Sequence, residues 1–325
     1  MELIIKPTGR CNFNCKFCSA SCLDVQHPVD NKVPEKLKEF IKKLNPNGFI
    51  ITGGEPLMVD PDYYYDLHET LDREISITSN LKDFYFHPEK WTPLFKEPWF
   101  HIATSFNYGD TRRWDKNTVY DEEMFMKVLD RYREYVEPIN PMFLAVIDES
   151  NEDKAMDHVY LAKKLNTQVK LNNAIGVGSQ SKTYPRYKMY QLYLDIIDAG
   201  LDKYESNCSD RKINRCPRNI EMSCLYSIRC VYIDTNGELH VGVCDEQVSW
   251  GNFLPEDKIF VDKNNKNFNV EVPIDEFITP ECAYCELFRL CNGCFTNRQE
   301  AKKDPNYCKE MKKLESRLIE TEWLL

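Results

Sequence analysis

No cysteine occurs between Cys22 and Cys208, although the chain of 325 residues has 14 of them. A disulfide framework would not leave so long a stretch unstapled, so the cysteines read as metal ligands in a reducing compartment. There is no apolar run approaching the roughly 18 residues of a membrane span. The segment from Met1 to Pro7 has neither a basic n-region nor a long apolar core, and so does not read as a secretory signal. Basic residues are outnumbered, 42 Lys and Arg against 52 Asp and Glu, for a net charge of -10. That balance argues against a phosphate-tracking, nucleic-acid-binding surface. Lys182, Arg186 and Lys188 come nearest to a basic patch and read as solvated surface. The six histidines are scattered without ligand spacing. What remains is a cytoplasmic protein with 42% hydrophobic and 29% charged residues, an ordinary globular balance. Its length allows one large domain or two modest ones.

From residue 1 to about 200, short apolar or alternating runs repeat with amphipathic ones. Strands are expected at Glu2–Lys6, Gly48–Thr52, Ile75–Ser79, His101–Ser105, Met142–Ile147 and Gln168–Asn172. Between them, Leu37, Phe40, Ile41 and Leu44 share one helical face, as do Phe125, Val128, Leu129 and Tyr132. Asn151 is placed to cap a further helix, Tyr63-Tyr64-Tyr65 to pack another, and a last helix runs from about Tyr184 to Ala199. Strand–helix alternation implies a parallel sheet with right-handed crossovers. Six units suit an open, partial (β/α)6 barrel and fall short of the eight of a closed one. Residues 201–325 differ: they are rich in cysteine, with a hairpin expected at Val231–Val243 turning on Asn236-Gly237, and a closing helix at Asn297–Glu320 interrupted by Pro305. The expected division is 1–200 and 201–325.

In such folds the loops after the strands carry chemistry. Cys11-Asn-Phe-Asn-Cys15-Lys-Phe-Cys18 follows the first strand with the spacing CxxxCxxC. Three thiolates on a tight loop can ligate three irons of a [4Fe-4S] cube, leaving the fourth iron open for chemistry. Gly53-Gly54-Glu55-Pro56 follows the second strand. Its glycines would let backbone approach a small molecule closely, and Glu55 can accept from an ammonium group.

Together these residues resemble the radical S-adenosylmethionine (SAM) superfamily. The resemblance implies that Cys11, Cys15 and Cys18 hold a catalytic [4Fe-4S] cluster, that Phe17 lies beside the adenine, and that Gly53, Gly54, Glu55 and Pro56 receive the methionine amine. It implies reductive cleavage of SAM to a 5'-deoxyadenosyl radical that abstracts a hydrogen from substrate, with a flavodoxin- or ferredoxin-type electron donor. Ser79-Asn80 ends the third strand where the family often has a Ser/Thr-Asn pair near SAM. Ser105-Phe106-Asn107 stands where relatives carry a Ser-x-Asp pair on the ribose, with Asn107 departing from that Asp. Asn172–Gly176 is placed to offer backbone to adenine. Cys22 reads as a small buried hydrophobe.

The C-terminal cysteines form two groups, Cys224-x5-Cys230-x13-Cys244 and Cys282-x2-Cys285-x5-Cys291-x2-Cys294-x13-Cys308. A four-thiolate zinc site is the competing reading, against which the short gap between Cys285 and Cys291 counts. The order resembles the SPASM extension of radical SAM enzymes, and the resemblance implies two auxiliary [4Fe-4S] clusters. Cys224, Cys230, Cys244 and Cys294 would hold one, and Cys282, Cys285, Cys291 and Cys308 the other. Trp250-Gly251-Asn252-Phe253 matches a Gly-Asn element between the groups. The spacings from Gly237 to Cys244 and from Cys291 to Cys294 depart from the usual pattern, and Cys208 and Cys216 have no assignment. In sulfatase-maturating relatives an acid directly after the Cys244 position acts as base, which makes Asp245 the candidate acid/base.

The expected function is modification of a peptide or protein side chain, by oxidation, crosslinking or epimerisation. A small metabolite or nucleotide substrate, and a non-catalytic iron–sulfur or zinc-binding protein, are the alternatives. Because the first strand starts at once, no N-terminal peptide-recognition domain is expected, and peptide recognition would fall to a separate protein or to the barrel mouth.

Overall fold

The computed structural model describes residues 2–22, 31–176, 179–180, 182–213, 230–233, 238–243, 246–252, 284–285 and 301–322. Six strands run parallel in chain order: β1 (Glu2–Ile5), β2 (Phe49–Ile51), β3 (Ile75–Thr78), β4 (Phe100–Ser105), β5 (Phe143–Ile147) and β6 (Val169–Asn173). Each falls on an expected run to within one or two residues. The helices between them are α1 (Glu35–Leu44), α2 (Pro61–Thr70), α3 (Lys82–Phe86), α4 (Pro88–Phe95), α5 (Glu122–Tyr135) and α6 (Ala155–Leu165), followed by α7 (Arg186–Asp198) and α8 (Ser206–Ile213). This is the α/β open barrel of six parallel strands that the alternation implied.

The strands carry an alternating burial that explains their position. Leu3, Ile5, Phe49, Ile51, Ile75, Ile77, Phe143, Ala145, Ile147, Val169 and Leu171 are buried in one core with the helices. Their neighbours Ile50, Ser76, Leu144, Lys170 and Asn172 are only half-buried. One face of the sheet is sealed by helices and the other is left for a ligand-bearing concavity. The buried residues of α1 are Leu37, Phe40, Ile41 and Leu44, and those of α5 are Phe125, Val128, Leu129 and Tyr132, the faces read from the sequence. At roughly 1.5–3 kcal/mol for each fully buried aliphatic or aromatic side chain, these stripes dominate helix docking. Asp121 caps α5 through its carboxylate, which accepts from the Met124 N–H at 2.9 Å. Asn151 caps no helix with its side chain. Its amide instead donates to Val146 O (2.9 Å) and accepts from Asp148 N (3.0 Å), tying off the loop after β5 before α6 begins at Ala155.

The sheet continues past β1. Strand β7 (Cys230–Ile233) pairs parallel to β1, with Leu3 opposite Val231, and β8 (Glu238–Val243) and β9 (Glu246–Asn252) follow antiparallel. The order across the sheet is β6-β5-β4-β3-β2-β1-β7-β8-β9. The β7–β8 pair is the expected hairpin; its turn at Asn236-Gly237 lies outside the described residues. The closing helix is interrupted before Pro305 as expected, and its long part, α9 (Asn306–Glu322), packs on α7. Tyr190 and Tyr307 share a buried hydroxyl–hydroxyl bond of 2.8 Å, and Arg317 reaches Asp198 at 2.9 Å. Among the described residues, no helix is long and apolar enough to cross a membrane.

Candidate functional site

The loop after β1 is anchored before it carries any chemistry. It crosses Gly53-Gly54, where Gly54 N donates to Thr8 O and Glu55 N to Arg10 O, both at 2.8 Å. Gly53 has a φ of 114°, and a Cβ there would stand 2.6 Å from Thr8 O; at Gly54 it would stand 2.1 Å from Arg10 O. The close approach that these glycines permit is that of the chain's own cysteine loop, where the sequence suggested a small molecule.

Glu55 is turned into the protein. One carboxylate oxygen accepts from Ser79 Oγ (2.5 Å) and Leu57 N (3.0 Å), and the other from Asn80 N (2.8 Å). Burial raises its pKa to about 7 against the pull of these three bonds. An ammonium was expected on this carboxylate; its oxygens are instead engaged in fastening the end of β3 to the loop after β2. Pro56 opens the short 3-10 turn that follows, and its carbonyl accepts from the buried Tyr64 hydroxyl at 2.7 Å. Asn80 continues the connection: its amide donates to Asn12 Oδ1 at 2.8 Å and lies 3.8 Å from Cys11 Sγ.

Cys11 is exposed, whereas Cys15 and Cys18 are half-buried. Although Cys11 as a residue is exposed, its sulfur is desolvated by the surrounding loop, and this pushes the thiol up to about 12, with Glu55 and the two other cysteines adding to the effect. Cys18 is also pushed up, by burial first and Cys15 next, while the Ala20 and Ser21 N–H groups and Arg112 pull it down. The three thiols therefore feel one another, and a bound metal is what would favour their anionic forms. Phe13 N approaches Cys11 Sγ at 3.4 Å. Among the described residues, no three His, Cys, Asp or Glu side chains converge on a single ion. Three thiols on one loop at CxxxCxxC spacing are the donor set that a [4Fe-4S] cube takes, one thiolate to each of three irons.

Beside this loop lies a cavity of about 260 Å³, lined among others by Lys16, Phe17, Thr111, Asp148, Ala174 and Tyr184. Phe17 and Ala174 both line it. The ribose pair does not. Asn107 is fully buried; its amide donates to Val146 O (2.6 Å), and its Oδ1 accepts from Arg112 Nε (3.3 Å) and Nη2 (3.1 Å). Ser105 Oγ accepts from Arg112 Nη1 at 2.8 Å. Both side chains expected on a sugar are committed to Arg112, and Asn107 also to β5.

Arg112 is the residue that the sequence did not mark. It is buried, its guanidinium lies 5.1 Å from the centre of the Phe17 ring, and no carboxylate lies within ion-pair distance of it among the described residues. An arginine in a polar loop carries no spacing signature; only its place after Ser105-Phe106-Asn107 could have drawn notice. His158 was also passed over. Its Nε2 accepts from Tyr108 N at 3.0 Å and so holds the start of the Arg112 loop.

Residues 5–162 match the family described as the radical SAM superfamily. The chain contains a radical SAM domain. It is an enzyme, with a [4Fe-4S] cluster and SAM as its cofactors. The whole chain is similar in fold to native anSMEcpe with bound AdoMet and Cp18Cys peptide, at 18% identity and a TM-score of 0.66, covering 98% of each chain. It is also similar to Streptococcus suis SuiB bound to S-adenosylmethionine, at 17% identity and 0.57, covering 94% of this chain and 75% of that one. SuiB bound to its precursor peptide SuiA matches at 16% identity and 0.59, covering 91% and 72%. No curated protein matches this radical SAM sequence. Of the expected C-terminal ligands, Cys285 and Cys308 are described and half-buried, and Cys230 lies in β7. Cys224, Cys244, Cys282, Cys291, Cys294 and the candidate base Asp245 lie outside the described residues, as does Cys216. Cys208, on α8, is buried.

Proposed function

We propose that this radical SAM enzyme abstracts a hydrogen from a peptide or protein substrate and so directs its oxidation, crosslinking or epimerisation. The observation that carries the reading is that the loop bearing Cys11, Cys15 and Cys18 also lines a cavity through Lys16 and Phe17. When bound, the cluster and SAM supply a 5'-deoxyadenosyl radical; the chain supplies position and exclusion of water. Cys11, Cys15 and Cys18 ligate three irons. Phe17 and the backbone near Ala174 flank the adenine. Arg112, a buried cation with neutral partners, faces the anionic end of SAM. Gly53, Gly54, Glu55, Pro56, Ser79 and Asn80 serve as the frame that holds the cysteine loop in register, and Ser105 and Asn107 as the frame that holds Arg112.

A peptide substrate is supported by the fold shared with anSMEcpe and SuiB, whose structures contain peptides. In this reading residues 201–325 form a SPASM-like domain carrying two auxiliary clusters on the eight assigned cysteines, with Asp245 as acid/base. The electron donor is a flavodoxin or ferredoxin, and a separate protein or the barrel mouth recognises the peptide. Clusters of this kind suit the reducing cytoplasm.

Anaerobic protein with dithionite and SAM should release 5'-deoxyadenosine, and Cys15→Ala should abolish it. Candidate peptides incubated with enzyme, reductant and SAM should change mass. Release of 5'-deoxyadenosine with mass change only in small metabolites would overturn the peptide assignment.

A further inference from the structure

Two cations approach the cysteine loop from opposite ends, and neither has a carboxylate within ion-pair distance among the described residues. Lys82 opens α3. Its Nζ donates to Asn12 O (3.2 Å) and Trp114 O (2.5 Å), and stands 4.7 Å from the Trp114 ring centre and 5.8 Å from that of Phe13. Its backbone is held as firmly: Lys82 N donates to Asn80 Oδ1 at 2.9 Å, and Leu81 before it takes a left-handed φ of 58°. Asn80 in turn touches Cys11. Burial pulls the Lys82 ammonium below its ordinary range, while Asp115 and Cys11 pull it back up. At the other end Arg112 donates, among the described residues, to Ser105 Oγ and Asn107 Oδ1, and its charge reaches Cys18.

Arg112 is buried and Lys82 half-buried, and a desolvated cation without a paired carboxylate favours an arriving anion. The group that would arrive here is a thiolate-bound cluster, whose net charge is negative and becomes more so by one on reduction. A fixed cation at close range stabilises the reduced form more than the oxidised one, and net charge near a cluster is one of the levers on its potential.

We propose that Lys82, at the Cys11 end, and Arg112, at the Cys18 end, form an electrostatic clamp that raises the reduction potential of the cluster held by this loop. The clamp rests on the reading of Cys11, Cys15 and Cys18 as its ligands. Both residues act through charge on the loop, so they are positioning residues.

The test is an EPR-monitored redox titration of reconstituted full-length enzyme without SAM. The relevant signal is the one that changes when SAM is added. Lys82→Gln keeps an N–H donor and removes the charge. At a fixed potential near the midpoint it should lower the reduced-to-oxidised ratio at least ~tenfold, 59 mV for a one-electron couple. Lys82→Arg keeps the charge and should titrate close to wild type. Arg112→Gln should shift the same way as Lys82→Gln, and carries the test if that variant fails to take up iron. A midpoint unchanged in the neutral variants, at full iron content, overturns the clamp. Absence of any SAM-responsive signal in the wild type would instead overturn the ligand assignment on which it rests.

Discussion

Lowering the pH from 7 towards 4 should loosen the loop that carries Asn107 and Arg112, through one buried imidazole. His158 is fully buried on α6. Its Nδ1 lies 2.8 Å from Lys154 O and must be the protonated nitrogen, because a carbonyl can only accept. Its Nε2 then accepts from Tyr108 N at 3.0 Å. A second proton would place N–H against N–H with no acceptor in reach. Burial, the largest cause, lowers its pKa from 6.5 to about 4. As pH falls, the unfolded chain takes up this proton first. The stabilisation is therefore complete above about 6.5 and is lost as pH falls towards 4. At about 1.4 kcal/mol per pH unit, the loss amounts to about 3 kcal/mol, most of it complete by pH 4.5. The assay is twofold. Proton and carbon shifts of the His158 ring, assigned through His158→Gln, should stay silent until about pH 4. Urea unfolding at pH 7 and pH 4.5 should show wild type losing ~2–3 kcal/mol more than the Gln variant. A His158 ring that titrates near 6.5, or equal losses in the two proteins, would refute the reasoning.

Glu55 should behave with the opposite sign. Its pKa is raised to about 7, so the stability it contributes is present at low pH and is lost as pH rises through 7. Glu55→Gln should also set an amide NH2 against the Asn80 or Leu57 N–H and cost about 1–3 kcal/mol, read from the urea midpoint. Arg112→Gln should weaken SAM binding at least ~tenfold without altering far-UV circular dichroism, and Arg112→Lys should restore it only in part, since an ammonium lacks the guanidinium fork. Tyr190→Phe should remove the hydroxyl–hydroxyl bond to Tyr307 and cost about 1 kcal/mol in thermal melts, with no change in 5'-deoxyadenosine release. Reconstituted enzyme should hold about 12 iron per chain if all three cubes form; about four would remove the auxiliary clusters.

Much of the barrel was legible because its signals are local. Six apolar runs became six parallel strands, and the stripes of α1 and α5 were read residue by residue, since a helix that docks on a sheet must bury a face of period 3.6. The CxxxCxxC loop and Gly53-Gly54 were legible for the same reason, as short motifs fixed by spacing. The intramolecular contacts of Gly53-Gly54 and Glu55 were not legible. The sequence shows that a backbone must come close and that a carboxylate is present. It does not show that the backbone is that of Thr8 and Arg10, or that the carboxylate faces Ser79 and Asn80.

The sequence by itself determined the class of fold, the loop that gathers three thiols and the family to which they point, because chain connectivity alone brings those groups together. Only the tertiary structure decided that β7 extends the sheet beside β1, that Ser105 and Asn107 hold an arginine, that His158 holds Tyr108, and that Lys82 and Arg112 bracket the cysteine loop. Each of these contacts joins residues from different elements, so it depends on how the loops fold over the ends of the strands, where no period or spacing records which partner a polar side chain will meet.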